Sequence, residues 1–219
     1  MDAVGKITTN DFMIRVLPGG FFLAVLFFGF HLEEKLEFVS GLDFLYTFLF
    51  LCMAFIVGEL LQTLAHLLEF FIDIFFKGYR PSEIFLLKNN PIIEEDVRKK
   101  VLQKLSIDEE SEKYLNFEYE NVPWICKKND KGREYRQGFF WRIFSEVESV
   151  DSIQRSNINY LFLRVITIEF LLLIFVMAFV DTKLMIVFLG IFLCLLWRTR
   201  GVSKGLIFKS INVFLKSSL

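Results

Sequence analysis

Histidine is nearly missing from this chain: His31 and His66 are the two in 219 residues. Two imidazoles cannot furnish the several ligands of an intramembrane di-iron oxygenase. The His-Glu-x-x-His pattern of zinc proteases does not occur. Residues 78–156 hold no histidine at all, which removes the commonest general base from that stretch. Cysteine is as sparse. Cys52, Cys126 and Cys194 lie far apart, with no paired spacing for zinc and no small disulfide framework. A phosphate-binding G-x-x-x-x-G-K-[ST] loop, a G-x-G-x-x-G after a strand and a G-x-S-x-G elbow are also absent. The acid pairs Glu94/Glu95 and Glu109/Glu110 stand among lysines and read as solvated helix faces. No catalytic residue, cofactor or metal site is assigned from these patterns. The formal net charge of −1 gives no specific nucleic-acid signal.

What is present is apolar mass. Hydrophobic residues make up 54% of the chain, 28 of them Phe, and the mean hydropathy is +0.46. Soluble domains average about 45–50% apolar even with glycine counted. The excess lies before residue 77 and after residue 157, while the middle is charged. This predicts an all-α integral membrane protein with four transmembrane helices and a helical cytoplasmic insert between spans 2 and 3. The spans are expected near Val16–Leu32, within Leu42–Phe76, and at Ile158–Val180 and Leu184–Trp197. Asp2 and Asp11 offset Lys6 and Arg15, and no small-residue cleavage site follows, so the first apolar run is expected to be retained.

Four segments follow. Residues 1–77 form an N-terminal transmembrane hairpin with an extended second helix, which tilts, leaves the hydrocarbon or breaks near Gly58. Residues 78–156 form the cytoplasmic insert, with 14 Lys/Arg and 15 Asp/Glu. Within it "NNPIIEEDVRKKVLQKLS" predicts a helix capped by Asn90 and opened by Pro91, with Ile93, Val97 and Val101 on its apolar face. "IDEESEKYL" suggests another short helix, and "CKKNDKGREY" a turn. Residues 157–200 form a C-terminal hairpin closed by "DTK". Residues 201–219 form a basic amphipathic tail, with Lys209 and Lys216 toward an anionic membrane surface. The short connectors hold Lys35 and Lys183 but are otherwise acidic, whereas the insert and tail hold most of the Lys/Arg. Both termini are therefore expected to be cytoplasmic in a multi-pass inner-membrane protein.

The stretch "GELLQTLAHLLEFFIDIFF" carries one polar stripe: Glu59, Gln62, His66, Glu69 and Asp73. At about 100° per residue these fall within an arc of about 80°. Three readings stay open: a helix at the water boundary, a helix–helix contact within the bundle or an oligomer, or an intramembrane pathway. Glu169 lies deep in the third span and needs a partner from another helix, a second subunit or water. Arg164, nearer the span's inner end, can snorkel. Arg155, Asn157, Arg198 and Arg200 stand at head-group depth and suit interfacial anchoring. Arg155 or Arg164 also has the reach to neutralise an acid of the stripe.

"RVLPGGFF" before the first span, "VGELLQTLAHLLE" in the second and "SIQRSNINYLFLR" leading into the third resemble uncharacterised small bacterial multi-span membrane proteins found in phage-defence settings. That resemblance implies a non-enzymatic membrane sensor or effector. The expected partners are the lipid bilayer, further copies of the chain and a cytoplasmic protein docking on residues 78–156. The alternative is a small intramembrane transporter or enzyme using Glu59, Gln62, His66 and Glu169.

Overall fold

The structure is a computed structural model that describes residues 12–30, 43–74, 79–107, 115, 118, 119 and 131–217. All long elements among the described residues are helices. A five-residue π-helical turn, Phe12–Val16, runs into α1, Leu17–Gly29. α2 is Asp43–Ile74, α3 Pro81–Ile84 and α4 Glu95–Leu105. α5 is Lys131–Val147, α6 Asp151–Val180 and α7 Thr182–Lys216. Four helical segments are long and apolar enough to cross a membrane: Phe12–Gly29, Thr47–His66, Asp151–Val180 and Thr182–Lys216. The chain is a multi-pass membrane protein with a large helical insert between its second and third spans.

Two compact units divide the chain. One comprises Met1–Leu68 and Leu161–Thr199, the other Glu69–Tyr160 and Arg200–Leu219. Three helices run on past the apolar stretches that mark the spans, because nothing in their sequences stops them. α2 is unbroken through Gly58 and, at about 1.5 Å per residue, is about 48 Å long.

Gly58 is a contact point, not a break. A Cβ there would run into the backbone carbonyl of Arg15, and one on Gly19 would run into the carbonyl of Ala54. α1 and α2 therefore pack backbone against backbone, as small residues permit in membrane helices. Ala54, Gly58, Leu61 and Ala65 form the buried side of α2. The π-helical turn precedes Pro18, whose missing N–H and ring disturb regular α-helical bonding in the turn before it.

Asp181 alone separates α6 from α7. Its carboxylate accepts from the Lys183 N–H at 2.8 Å and caps the new helix. The chain reverses there, since Thr167 and Thr199 hydroxyls lie 3.1 Å apart and Phe170 stacks edge-on against Phe188.

The second unit has its own core. Ile84, Phe85, Leu86 and Leu87 are fully buried, joined by Val101, Leu115, Ile143, Val147 and Ile153. Such a buried connecting segment must satisfy its backbone carbonyls. Arg136 Nε donates to Glu83 O at 2.5 Å, and Arg98 Nε to Leu86 O at 2.6 Å. A second Arg98 nitrogen reaches Leu115 O at 3.1 Å, and Asn90 Nδ2 reaches Leu87 O at 2.8 Å.

Three expectations change here. Asn90 does not cap the following helix. Its Oδ1 accepts from Ile92 and Ile93 N–H and closes a turn, and α4 begins at Glu95. The 201–219 segment is not separate either. α7 continues through it, and Leu206, Ile207, Ile211 and Phe214 are buried. Its apolar side is used as protein core in the second unit, while Lys204, Lys209 and Lys216 stay exposed. From about Gln137 the spacing of Phe140, Phe144, Val147, Val150 and Ile153 predicts a helix leading toward the membrane; the structure has two, α5 and α6, parted at Glu148–Val150. The acidic connector with His31, most of "IDEESEKYL" and Cys126 lie outside the described residues.

Candidate functional site

The polar stripe of α2 meets arginines. Arg15, in the π-helical turn, places Nε 2.7 Å from Glu59 Oε1 and 3.4 Å from Gln62 Oε1. Its guanidinium also sits 5.7 Å from the centre of the Phe55 ring. An antiparallel hairpin explains the meeting. Arg15 stands at the start of the first span and Glu59 toward the end of the second, so both lie at one end of the bundle. One turn further, Arg164 Nη2 lies 3.4 Å from His66 Nδ1. The guanidinium has only donors, so this geometry uses the Nδ1 lone pair of His66. Arg164 is 5% exposed, so it is buried and does not snorkel to water. The side chains of Glu69 and Asp73 lie outside the described part.

Glu169 is fully buried, and neither carboxylate oxygen has a hydrogen-bond partner among the described residues. Its direction follows from its neighbours. Phe170 stacks on Phe21 of α1 at 6.0 Å, and Met177 meets Gly29 of the same helix. Arg164 reaches α2 and Thr167 reaches α7. At about 100° per residue, Glu169 stands about 140° around the helix from Arg164 and about 100° from Phe170, outside the arc that joins those two contacts. Along the axis it is about 7.5 Å beyond Arg164. No hydrogen bond or ion pair among the described residues joins it to Glu59, Gln62 or His66.

Two hydroxyls form a separate polar contact. Thr167 and Thr199 bond to each other and to the carbonyls of Leu163 and Leu195 one turn back, so each is satisfied. No group of three or more His, Cys, Asp or Glu side chains converges as a metal site among the described residues. Cys52 and Cys194 are free thiols on exposed positions.

The residues expected to anchor at the interface separate into different surroundings. Arg155, Arg198 and Lys216 are exposed, and Asn157 and Arg200 are half-buried. Lys209 Nζ donates to Ser156 Oγ at 2.9 Å. Lys104 lies over the Phe214 ring at 4.1 Å and donates to the Phe214 carbonyl.

Arg15, Arg98 and Arg136 were missed as structural partners in the sequence. Arg98 carried a signal, because Arg98, Val101 and Leu105 follow the three-four spacing of a buried stripe. Comparison of the chain with protein families, curated proteins and solved structures gave no match.

Proposed function

We propose that this chain is a non-enzymatic, self-associating inner-membrane protein whose insert is a cytoplasmic docking or regulatory module. The observation that carries the reading is the insert's own packed core, whose buried arginines bind its backbone carbonyls. A module held in this way offers a preformed surface. Trp141, 55% exposed on α5 and stacked edge-on against Phe144, is the kind of aromatic anchor that partner surfaces use.

Glu59 and Gln62 have Arg15 and His66 has Arg164 within the same chain; the seam proposed between copies runs along this lower part of α2, where Thr63 is exposed. The test is the native mass of the purified chain in lipid. Two or more copies are expected. A single-copy mass would end the self-association reading. Orientation is tested by cysteine labelling in a cysteine-free background. Asp181→Cys should react from outside intact cells and Lys204→Cys only after permeabilisation. The resemblance to phage-defence membrane proteins adds a narrower proposal, that a signal on the insert makes the bundle disturb the membrane barrier.

A second reading, a small intramembrane transporter or enzyme, is favoured by one observation. Glu169 is a buried acid without a described partner, and ionisable groups at such depth line functional paths. Flux through liposomes separates the two readings.

A further inference from the structure

A groove of about 490 Å³ opens between the first turns of α6 and the last turns of α7. Its walls are Asp151, Ser152, Arg155, Ser156 and Asn159 from α6 and Lys209 from α7. Donors dominate the lining. Lys209 gives one N–H to Ser156 and keeps two for another acceptor. Arg155 is exposed and makes no hydrogen bond or ion pair among the described residues, so its fork of five N–H donors stays open. Ser152 adds a hydroxyl and Asn159 an amide.

Asp151 is the one acid in the wall. It occupies the first turn of α6, where the positive helix end favours it, and it forms no ion pair with Arg155. Residues 201–216 of α7 contribute Lys204, Lys209 and Lys216 and no acid, and the groove's own lining holds two cations, Arg155 and Lys209, against the one acid.

A cluster of converging N–H and O–H groups with two cations suits an anion with several oxygens. Phosphate fits that description, with the Arg155 fork as a bidentate donor and Lys209 as a point charge. The sequence also sets the depth. Two residues past Asn159, α6 turns apolar at "LFLRVITIEFLLL", and Tyr160 stands at the change. We propose that this groove binds the phosphate of an anionic lipid head-group. The proposal rests on the multi-pass reading and not on self-association, so a single-copy mass would leave it standing.

The experiment uses the full chain purified into lipid nanodiscs of phosphatidylglycerol, of phosphatidylcholine, or of both. Lipid retained on the protein is counted by native mass spectrometry after the nanodisc is stripped away. The variants are Arg155→Gln, Lys209→Gln and the pair, with Arg142→Gln as a charge-loss control on another exposed position. A basic side chain near an anionic surface contributes about 1 kcal/mol, so each loss should lower retained phosphatidylglycerol about fivefold, and the pair about twenty-five-fold. Arg142→Gln should retain the wild-type amount. Equal retention of the two lipids, or an equal loss in the Arg142 control, overturns the proposal. Inorganic phosphate titrated into the wild-type sample tests the other source of the same chemistry. Displacement of lipid by millimolar phosphate would assign the groove to a soluble phosphate compound and overturn the lipid assignment. If the paired variant does not fold, Arg155→Gln alone carries the result, since that side chain is exposed and holds nothing else in place among the described residues.

Discussion

Arg15 Nε lies 2.7 Å from Glu59 Oε1, while the backbone carbonyl of the same Arg15 faces Gly58 where a Cβ would collide with it. One residue thus supplies both the charge that meets the stripe and the backbone that sets its distance. Both side chains are partly exposed, so the ion pair itself is modest. A double-mutant cycle with Arg15→Gln and Glu59→Gln should give a coupling of about 0.5–1 kcal/mol. Coupling near zero in lipid would mean that the pair is a consequence of packing and not a contributor to it.

Close approach should matter more than charge. Gly58→Ala and Gly19→Ala each force α1 away from α2, at about 3 kcal/mol, the upper part of the range for overpacking. Gly190→Ala, whose new Cβ meets nothing, should stay within about 0.5 kcal/mol. Thermal unfolding in one detergent ranks the three. A Gly58→Ala protein as stable as the Gly190→Ala protein would contradict the backbone contact.

Much of this architecture was legible. The apolar blocks located all four spans, because about 20 consecutive apolar helical residues match the thickness of the bilayer's hydrocarbon core. Periodicity located the stripe on one side of α2 but left its partner open. Arg15 stood outside the pattern, at the start of a different helix. The lower half of α7 misled for a physical reason. Ile207, Ile211 and Phe214 are as apolar as membrane-facing residues are, and a spacing alone does not say whether lipid or protein covers them. Asn90 misled similarly, since an Asx turn and a helix cap use the same side chain on nearby N–H groups.

Glu169 has no described partner to lose. Glu169→Leu, close in volume and apolar, should therefore be neutral or stabilising by about 1–2 kcal/mol in thermal unfolding. A loss of stability would show that the acid is satisfied by water or by a residue outside the described set. Flux in liposomes is the companion measurement. Equal ion flux for Glu169→Gln and the unmodified protein, above empty liposomes, would remove the pathway reading.

Arg98, 3% exposed, binds Leu86 O, Leu115 O and the Glu95 carboxylate. Arg98→Met leaves two carbonyls unsatisfied and should cost about 2–4 kcal/mol. Arg98→Lys should recover little, because one ammonium cannot span both carbonyls in the fork's geometry. Urea unfolding followed by tryptophan fluorescence reads the difference. A fully restored midpoint in Arg98→Lys would deny the fork its role.

Burial pushes the Tyr119 hydroxyl above its ordinary 10.0, with Arg200 acting in the opposite direction. The folded chain thus holds this proton to higher pH than the unfolded chain does. Stability should be unaffected below about pH 10 and fall as pH rises from there through the folded value. Tyr119→Phe should flatten that alkaline slope. Identical slopes in urea midpoints between about pH 9 and pH 11 would rule the effect out.

The single residue between α6 and α7 bears on how this protein is made. Asp181 leaves no slack for one helix to cross the bilayer while the other waits. A one-residue connection suits insertion of α6 and α7 as a hairpin, and in the orientation proposed above Asp181 and Lys183 cross the membrane together. Synthesis of α6 alone would then yield a segment that halts and is degraded, so truncation just after Asp181 should be far more harmful in cells than its short length past the apolar stretch suggests.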